Sequence, residues 1–289
     1  MEAPTTKRVI INADDFGFSP AVTEGILRAH REGLVTSTTL MANMPSAGEA
    51  VSRLAEAPDL GVGVHLNVSQ GPVLSGKGRR LGCEDGVMDR SAAKVILACI
   101  ARPGLLDAIE AEFDAQIRWV LDHGIRPTHL DTHRHAHAWG PIFARVLRLA
   151  RRYHIPLIRR HREVLPGRHW PRSDAGQRRV SHLCTALGRV NECLTGRPAE
   201  LATRGTWGVA HTGAISTNWL MRAARELPGG VTEIMTHPGM HQDQNDTTAA
   251  TRLGRERSRE REALCDDRVR DEFERQGIER IHYGQLRNR

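Results

Sequence analysis

The chain has 289 residues, 39% of them hydrophobic and 26% charged, and a formal net charge of +7. This composition suits a packed soluble core, and no run approaches the roughly 18 apolar residues needed to cross a bilayer; the longest, Val95 to Ala101, is far too short. Aromatics at 4% are too few for stacking platforms, and the arginines alternate with glutamates along helices, so no nucleic-acid partner is expected, while the basic balance permits peripheral contact with an anionic membrane.

Arg8 to Asn12 reads as a buried strand that ends in the polar cluster Asn12-Ala13-Asp14-Asp15-Phe16-Gly17. Ser19 then caps a helix with Pro20 in its first turn, running to about Gly33. Thr36 to Met41 is β-branched and predicts a second strand, Ala47 to Ala57 a helix opened by Ser46, and Gly61 to Asn67 a third strand with His65 near its carboxyl end. Alternation of strand and helix is the mark of parallel βαβ units.

Glycines at 71, 76, 78, 82 and 86 make 68–104 an inserted loop with a short helix around Ala92 to Ala101. Leu105, Ile109, Phe113, Ile117, Val120 and Leu121 recur at helical spacing up to Gly124. The histidine-rich stretch from Pro127 to His137 follows as the fourth strand, then a helix from Ile142 to Tyr153 and a fifth strand from Ile155 to Ile158. The arginine-, glycine- and proline-rich segment 159–205 carries one helix, about Val180 to Leu194, and has no evident place in the sheet. Beyond it the pattern predicts a helix over Thr217 to Leu227, a strand over Val231 to Met235 and the loop Thr236-His237-Pro238-Gly239. One charged helix from Arg255 to Gln276 and a last strand from Gly277 to Tyr283 complete the order. The expectation is one α/β domain over residues 1–289 built on a parallel (β/α) barrel, with inserts at 68–104 and 159–205.

Five cysteines without a C-x-x-C spacing argue against disulfides and cysteine-based zinc sites. Met1 to Lys7 lacks an apolar signal region, which leads us to expect a cytoplasmic protein.

His129, Asp131, His133, His135 and His137 occupy every second position, so an extended backbone would put all five on one face. A helix would gather only His129, His133 and His137, and a histidine-rich surface turn is the bland alternative. Pro127 favours extension of the residue before it. Asp14-Asp15, His65, the histidine segment and His237 all fall at the carboxyl ends of predicted strands, the edge where parallel barrels build active sites. Taken singly, Asp14-Asp15 could be a helix cap, His65 a core histidine and His237 part of an ordinary turn. Together they supply one carboxylate and two imidazoles for a divalent cation, with coordination positions left open, and a second carboxylate as a base. Adjacent aspartates in a strand point opposite ways, so one would hold metal while the other faced the water.

Asn12-Ala13-Asp14-Asp15-Phe16-Gly17, Thr36-Ser37-Thr38-Thr39, Gly63-Val64-His65-Leu66-Asn67, the Pro127 to His137 stretch and Thr236-His237-Pro238-Gly239 together resemble the YdjC family of carbohydrate deacetylases. The resemblance implies a single catalytic domain with a distorted (β/α) barrel of TIM-like or polysaccharide-deacetylase-like type, and hydrolytic removal of the N-acetyl group from an acetylated amino sugar, a chitooligosaccharide or a GlcNAc-bearing glycoside or glycolipid, with release of acetate. It places the metal ligands at Asp15, His65 and His133, the base at Asp14 and the acid at His237. His135, His137, Asp131 and Asn67 are the residues expected at the substrate. Thr132-His133-Arg134 departs from the histidine run of chitooligosaccharide-specific members. Two imidazoles favour zinc, while open oxygen-rich coordination suits magnesium or manganese, with cobalt a further candidate. The rival readings are a phosphoester hydrolase, for which no arginine or lysine clamp adjoins the motifs, and a non-enzymatic carbohydrate- or metal-binding protein. A homo-oligomer is compatible with the sequence.

Overall fold

The computed structural model describes residues 6–82, 85–163, 170–171, 173–240 and 253–286. Cys83 and parts of the 159–205 segment therefore lie outside the described residues. The fold is a curled parallel half-barrel. Its sheet runs in the order β6 (Leu130–Thr132), β3 (Gly61–Leu66), β2 (Ser37–Leu40), β1 (Lys7–Phe16), β8 (Gly230–Thr236), β7 (Thr206–Trp207), and β9 (Glu279–Arg280) pairs with β1 at Arg8 and Val9. All of these pairings are parallel. The expected α/β barrel class is therefore what the chain adopts.

Helices α1 (Pro20–Arg31), α2 (Ala47–Ser52), α4 (Leu105–Asp122), α5 (Gly140–Arg152) and α7 (Thr217–Glu226) lie between strands in sequence. The Ser19 hydroxyl accepts from Val22 N to start α1, and Ser216 does the same for α7. Val9, Ile11 and Ala13 face the main apolar core, whereas Ile10 belongs to a second cluster with Leu157, Val231, Ile281 and Tyr283.

Several elements differ from expectation for identifiable reasons. The histidine segment is extended only to Thr132. His133–Ala138 then winds into a 3-10 turn in which Arg134 and His135 take φ of 54° and 57°, so the expected single face of four histidines and Asp131 does not form. The predicted fifth strand reduces to one bridge, Leu130 to Ile158. Asp266 takes an extended conformation and caps a new helix through Arg268 N, splitting the predicted 255–276 helix into α8 (Arg255–Leu264) and α9 (Asp267–Arg275). The 68–104 insert contains a hairpin, β4 (Gln70–Pro72) with β5 (Val87–Asp89), before α3 (Ala92–Ala101). The helix of the second insert, α6, starts earlier than expected and spans Ala175–Thr195. Among the described residues no helix is long and apolar enough to cross a membrane.

Candidate metal centre

Strand β1 delivers two aspartates through an irregularity. Ala13 pairs with Thr38 but Phe16 pairs with Leu40, so β1 carries one residue more than its neighbour across this step. Asp15 has φ of 73°, a left-handed conformation that aspartate tolerates better than most residues. The bulge corrects the expectation that adjacent aspartates diverge: both Asp14 and Asp15 reach the wall of one cavity.

His65 comes from the end of β3 and His133 from the first residue after β6. Their ring nitrogens converge with Asp15: His65 Nε2 lies 3.4 Å and His133 Nδ1 3.2 Å from Asp15 Oδ1, and the two nitrogens are 3.2 Å apart. Ligand atoms around a cation at about 2.0–2.2 Å stand roughly 3 to 3.6 Å from one another, so the triangle has the size a divalent ion requires. Asp15 Oδ1 is buried and has no hydrogen-bond partner among the described residues. A buried carboxylate oxygen of this kind fits the role of a metal ligand. Burial alone would lower the His65 pKa, but Asp131, with Asp15 and Asp14, raises it to about 10, since carboxylates surround the imidazole. Asp14, His65 and Asp131 form a second cluster of comparable span. There, however, Arg159 occupies both carboxylates and the His65 nitrogen on that side, Nδ1, is bound to Asp131 Oδ1 at 2.7 Å. The donor set of Asp15, His65 and His133 suits a borderline or hard divalent ion.

Below the triangle sits Arg159, fully buried. Its Nη1 and Nη2 bind Asp14 at 2.7 and 2.6 Å, Nη1 reaches Asp131 Oδ2 at 2.8 Å and Nε reaches Glu233 at 2.9 Å. Glu233 also accepts from Thr206 Oγ1 and from the Tyr283 hydroxyl, whose ring stacks on His129 with centroids 3.8 Å apart. Gly63 makes this packing feasible: a Cβ there would lie 2.5 Å from the His129 ring. Although burial pushes Asp14 and Asp131 towards neutrality, the Arg159 guanidinium wins and holds both carboxyls below the usual range. Neither Arg159 nor Glu233 was singled out from sequence. Their signals were an arginine directly after an apolar run and a glutamate inside one.

His237 lies on the cavity wall at the end of β8. Its backbone N donates to Glu260 at 2.6 Å, and its Nδ1 is buried without a hydrogen-bond partner among the described residues. Burial outweighs the pull of Asp14 and Asp15 and drops its pKa to about 4. Arg257, from α8, binds Asp15 Oδ2 at 2.5 Å and also lines the cavity. The fold thus brings Arg159 and Arg257, distant in sequence, beside the motifs, and Arg134 of the histidine motif itself lines the cavity.

The cavity, about 580 Å³, draws its wall from both inserts, through Gln70 and Ser91 to Ala93 on one side and Asp174 to Val180 on the other. Of the residues expected at the substrate, only His135 lines it. His137 binds Thr132 Oγ1 and the Arg159 carbonyl through its two ring nitrogens, Asp131 lies behind His65, and Asn67 pins the turn at Ser69 and Gln70. These three therefore lie inside the wall, held by backbone and side-chain partners, and not on the cavity surface where they were expected.

A curled parallel α/β sheet with a carboxylate and two imidazoles converging at its carboxyl edge, beside a buried carboxylate held by arginine, defines a candidate metal-binding site. Residues 8–275 match the family model described as YdjC-like protein, and the chain belongs to that family. It is 39% identical over 151 residues to a carbohydrate deacetylase of Halalkalibacterium halodurans, covering 52% of this chain and 62% of that one. It is 31% identical over 232 residues to a carbohydrate deacetylase of Oceanobacillus iheyensis, covering 80% and 85%. The stronger local matches thus span about 60% of their relatives' length. A solved structure from Enterococcus faecalis V583, described provisionally as a cellobiose-phosphate cleavage protein, is similar at a TM-score of 0.75 and 27% identity over 98% of this chain and 99% of that one.

Proposed function

We propose that the chain is a metal-dependent hydrolase that removes the N-acetyl group from an acetylated amino sugar and releases acetate. The observation that carries this reading is the triangle of Asp15, His65 and His133 opening onto a cavity beside Asp14. Relatives named carbohydrate deacetylase support the substrate class. A divalent ion held by the three ligands would supply Lewis acidity towards water and the acetamide oxygen.

The chain's own residues do the rest. Asp14, kept ionised by Arg159, accepts the proton of the attacking water. Arg159 also fixes the direction of that carboxylate, since two parallel N–H donors define its plane. Asp131 accepts from His65 Nδ1, which leaves Nε2 free to act as a ligand. His237 delivers a proton to the departing amine. Burial holds its resting imidazole neutral, so the proton it passes on is the one Asp14 took from the water, and both side chains return to their starting states when the amine leaves.

A second reading, phosphoester cleavage, draws on Arg257, whose Nε and Nη1 are buried without hydrogen-bond partners among the described residues. A panel of N-acetylated and phosphorylated sugars, soluble and lipid-linked, assayed in parallel for acetate and phosphate decides between them. Acetate release with no phosphate supports the deacetylase; the reverse overturns it.

A further inference from the structure

Among the described residues, the most exposed of the large apolar side chains lie on the two helices that flank the cavity mouth. On α6, Val180, Leu183, Leu187, Val190 and Leu194 recur at alternating spacings of three and four, which aligns them on one helix face. Leu183 is 59% exposed, Val190 51% and Leu194 79%. On α3, Ala93, Leu97 and Ile100 share a face, with Leu97 63% and Ile100 61% exposed. Both stripes begin at the site, for Ala93 and Val180 line the cavity, and both helices pack on the turn that carries His133 and His135. Burying such faces is favourable, and isolated scattered leucines would not align this way.

The charges beside the stripes indicate what covers them. Exposed Lys94, Arg178, Arg179 and Arg189 flank the apolar residues. The sole carboxylate within either helix, Glu192, is buried and bound by Arg160. A second copy of the chain would fit poorly: antiparallel pairing of α6 about Leu187 sets Arg178 and Arg179 against the partner's Arg197 end, and parallel pairing sets arginine beside arginine. An apolar stripe edged by cations is instead complementary to a bilayer with anionic headgroups. We propose that α3 and α6 form a docking face for an anionic lipid surface, which turns the mouth of the cavity towards the membrane.

The test needs no substrate and is independent of the deacetylase reading. The purified full chain is co-sedimented with phosphatidylcholine vesicles, with and without phosphatidylglycerol. The wild type is expected to bind only the anionic vesicles, and less as salt rises. Leu183→Gln with Leu194→Gln, and separately Arg178→Gln with Arg179→Gln, are each expected to weaken binding at least about tenfold with thermal melting unchanged. Arg151→Gln with Arg152→Gln on α5 makes the same change in net charge away from this face and is expected to leave binding within about twofold. Three results would overturn the proposal. One is absence of binding to anionic vesicles. Another is equal loss in the α5 control, which would leave only overall charge. The third is a wild-type dimer that the leucine variant converts to monomer, which would assign the face to a second copy.

Discussion

Arg159 grips Asp14 through both terminal nitrogens, at 2.7 and 2.6 Å, from a position with no solvent contact. The pair joins the middle of the barrel to its catalytic edge, because the same guanidinium also holds Asp131 and Glu233. Arg159→Met would strand three buried carboxylates. We expect a loss of about 3–5 kcal/mol in urea unfolding at neutral pH, partly recovered on mild acidification as the carboxylates protonate. Wild-type stability in this variant would show that the network is dispensable.

Asp131 does not line the cavity and is bound to His65 Nδ1 at 2.7 Å. Asp131→Asn removes the charge behind the imidazole, and cation affinity should fall about 10–100-fold by competitive chelator titration. Unchanged affinity would leave Asp131 with a purely structural part.

Stability should decline with acidification earlier than carboxylates alone predict. Burial lowers His129 to about 3 and His137 to about 4, so each is neutral in the folded chain and protonates near 6.5 once unfolded. A group whose folded pKa is depressed gives stability that is complete above its unfolded pKa and is lost as pH falls towards the folded value. The window is therefore about 6.5 down to 3, and by pH 5 the loss is on the order of 2 kcal/mol per imidazole. Urea midpoints measured between pH 7 and 5 report it directly; a flat profile would contradict neutral burial.

Gly25 of α1 lies against the loop that presents His237. A Cβ there would sit 2.2 Å from Gly239 Cα, backbone that cannot step aside. Gly25→Ala is expected to cost about 1–3 kcal/mol and to lower turnover while leaving cation affinity intact, since the ligands come from other strands. Loss of metal binding with turnover in proportion would argue against a separate role for the His237 loop.

The strand-end residues Asp14, Asp15, His65 and His237 were legible because a parallel sheet puts its chemistry at one edge, and a polar cluster after an apolar run marks that edge. The histidine repeat was legible only as far as Thr132. Period two assumes continuous extension, and the left-handed Arg134 and His135 end it, so His133 reaches the site while His137 turns inward. Arg159 was hidden in a tract of arginines that one sequence cannot sort into buried and exposed. Glu233 was masked by the apolar residues around it. Register along β1 was equally unreadable, since a one-residue bulge leaves no mark in composition yet decides where both aspartates point.

Anomalous diffraction from crystals grown with zinc or manganese tests the central claim most directly. A single peak bounded by Asp15 Oδ1, His65 Nε2 and His133 Nδ1, lost in His133→Ala, is the predicted result. A peak among Asp14, His65 and Asp131, or none at any of these side chains, would contradict it.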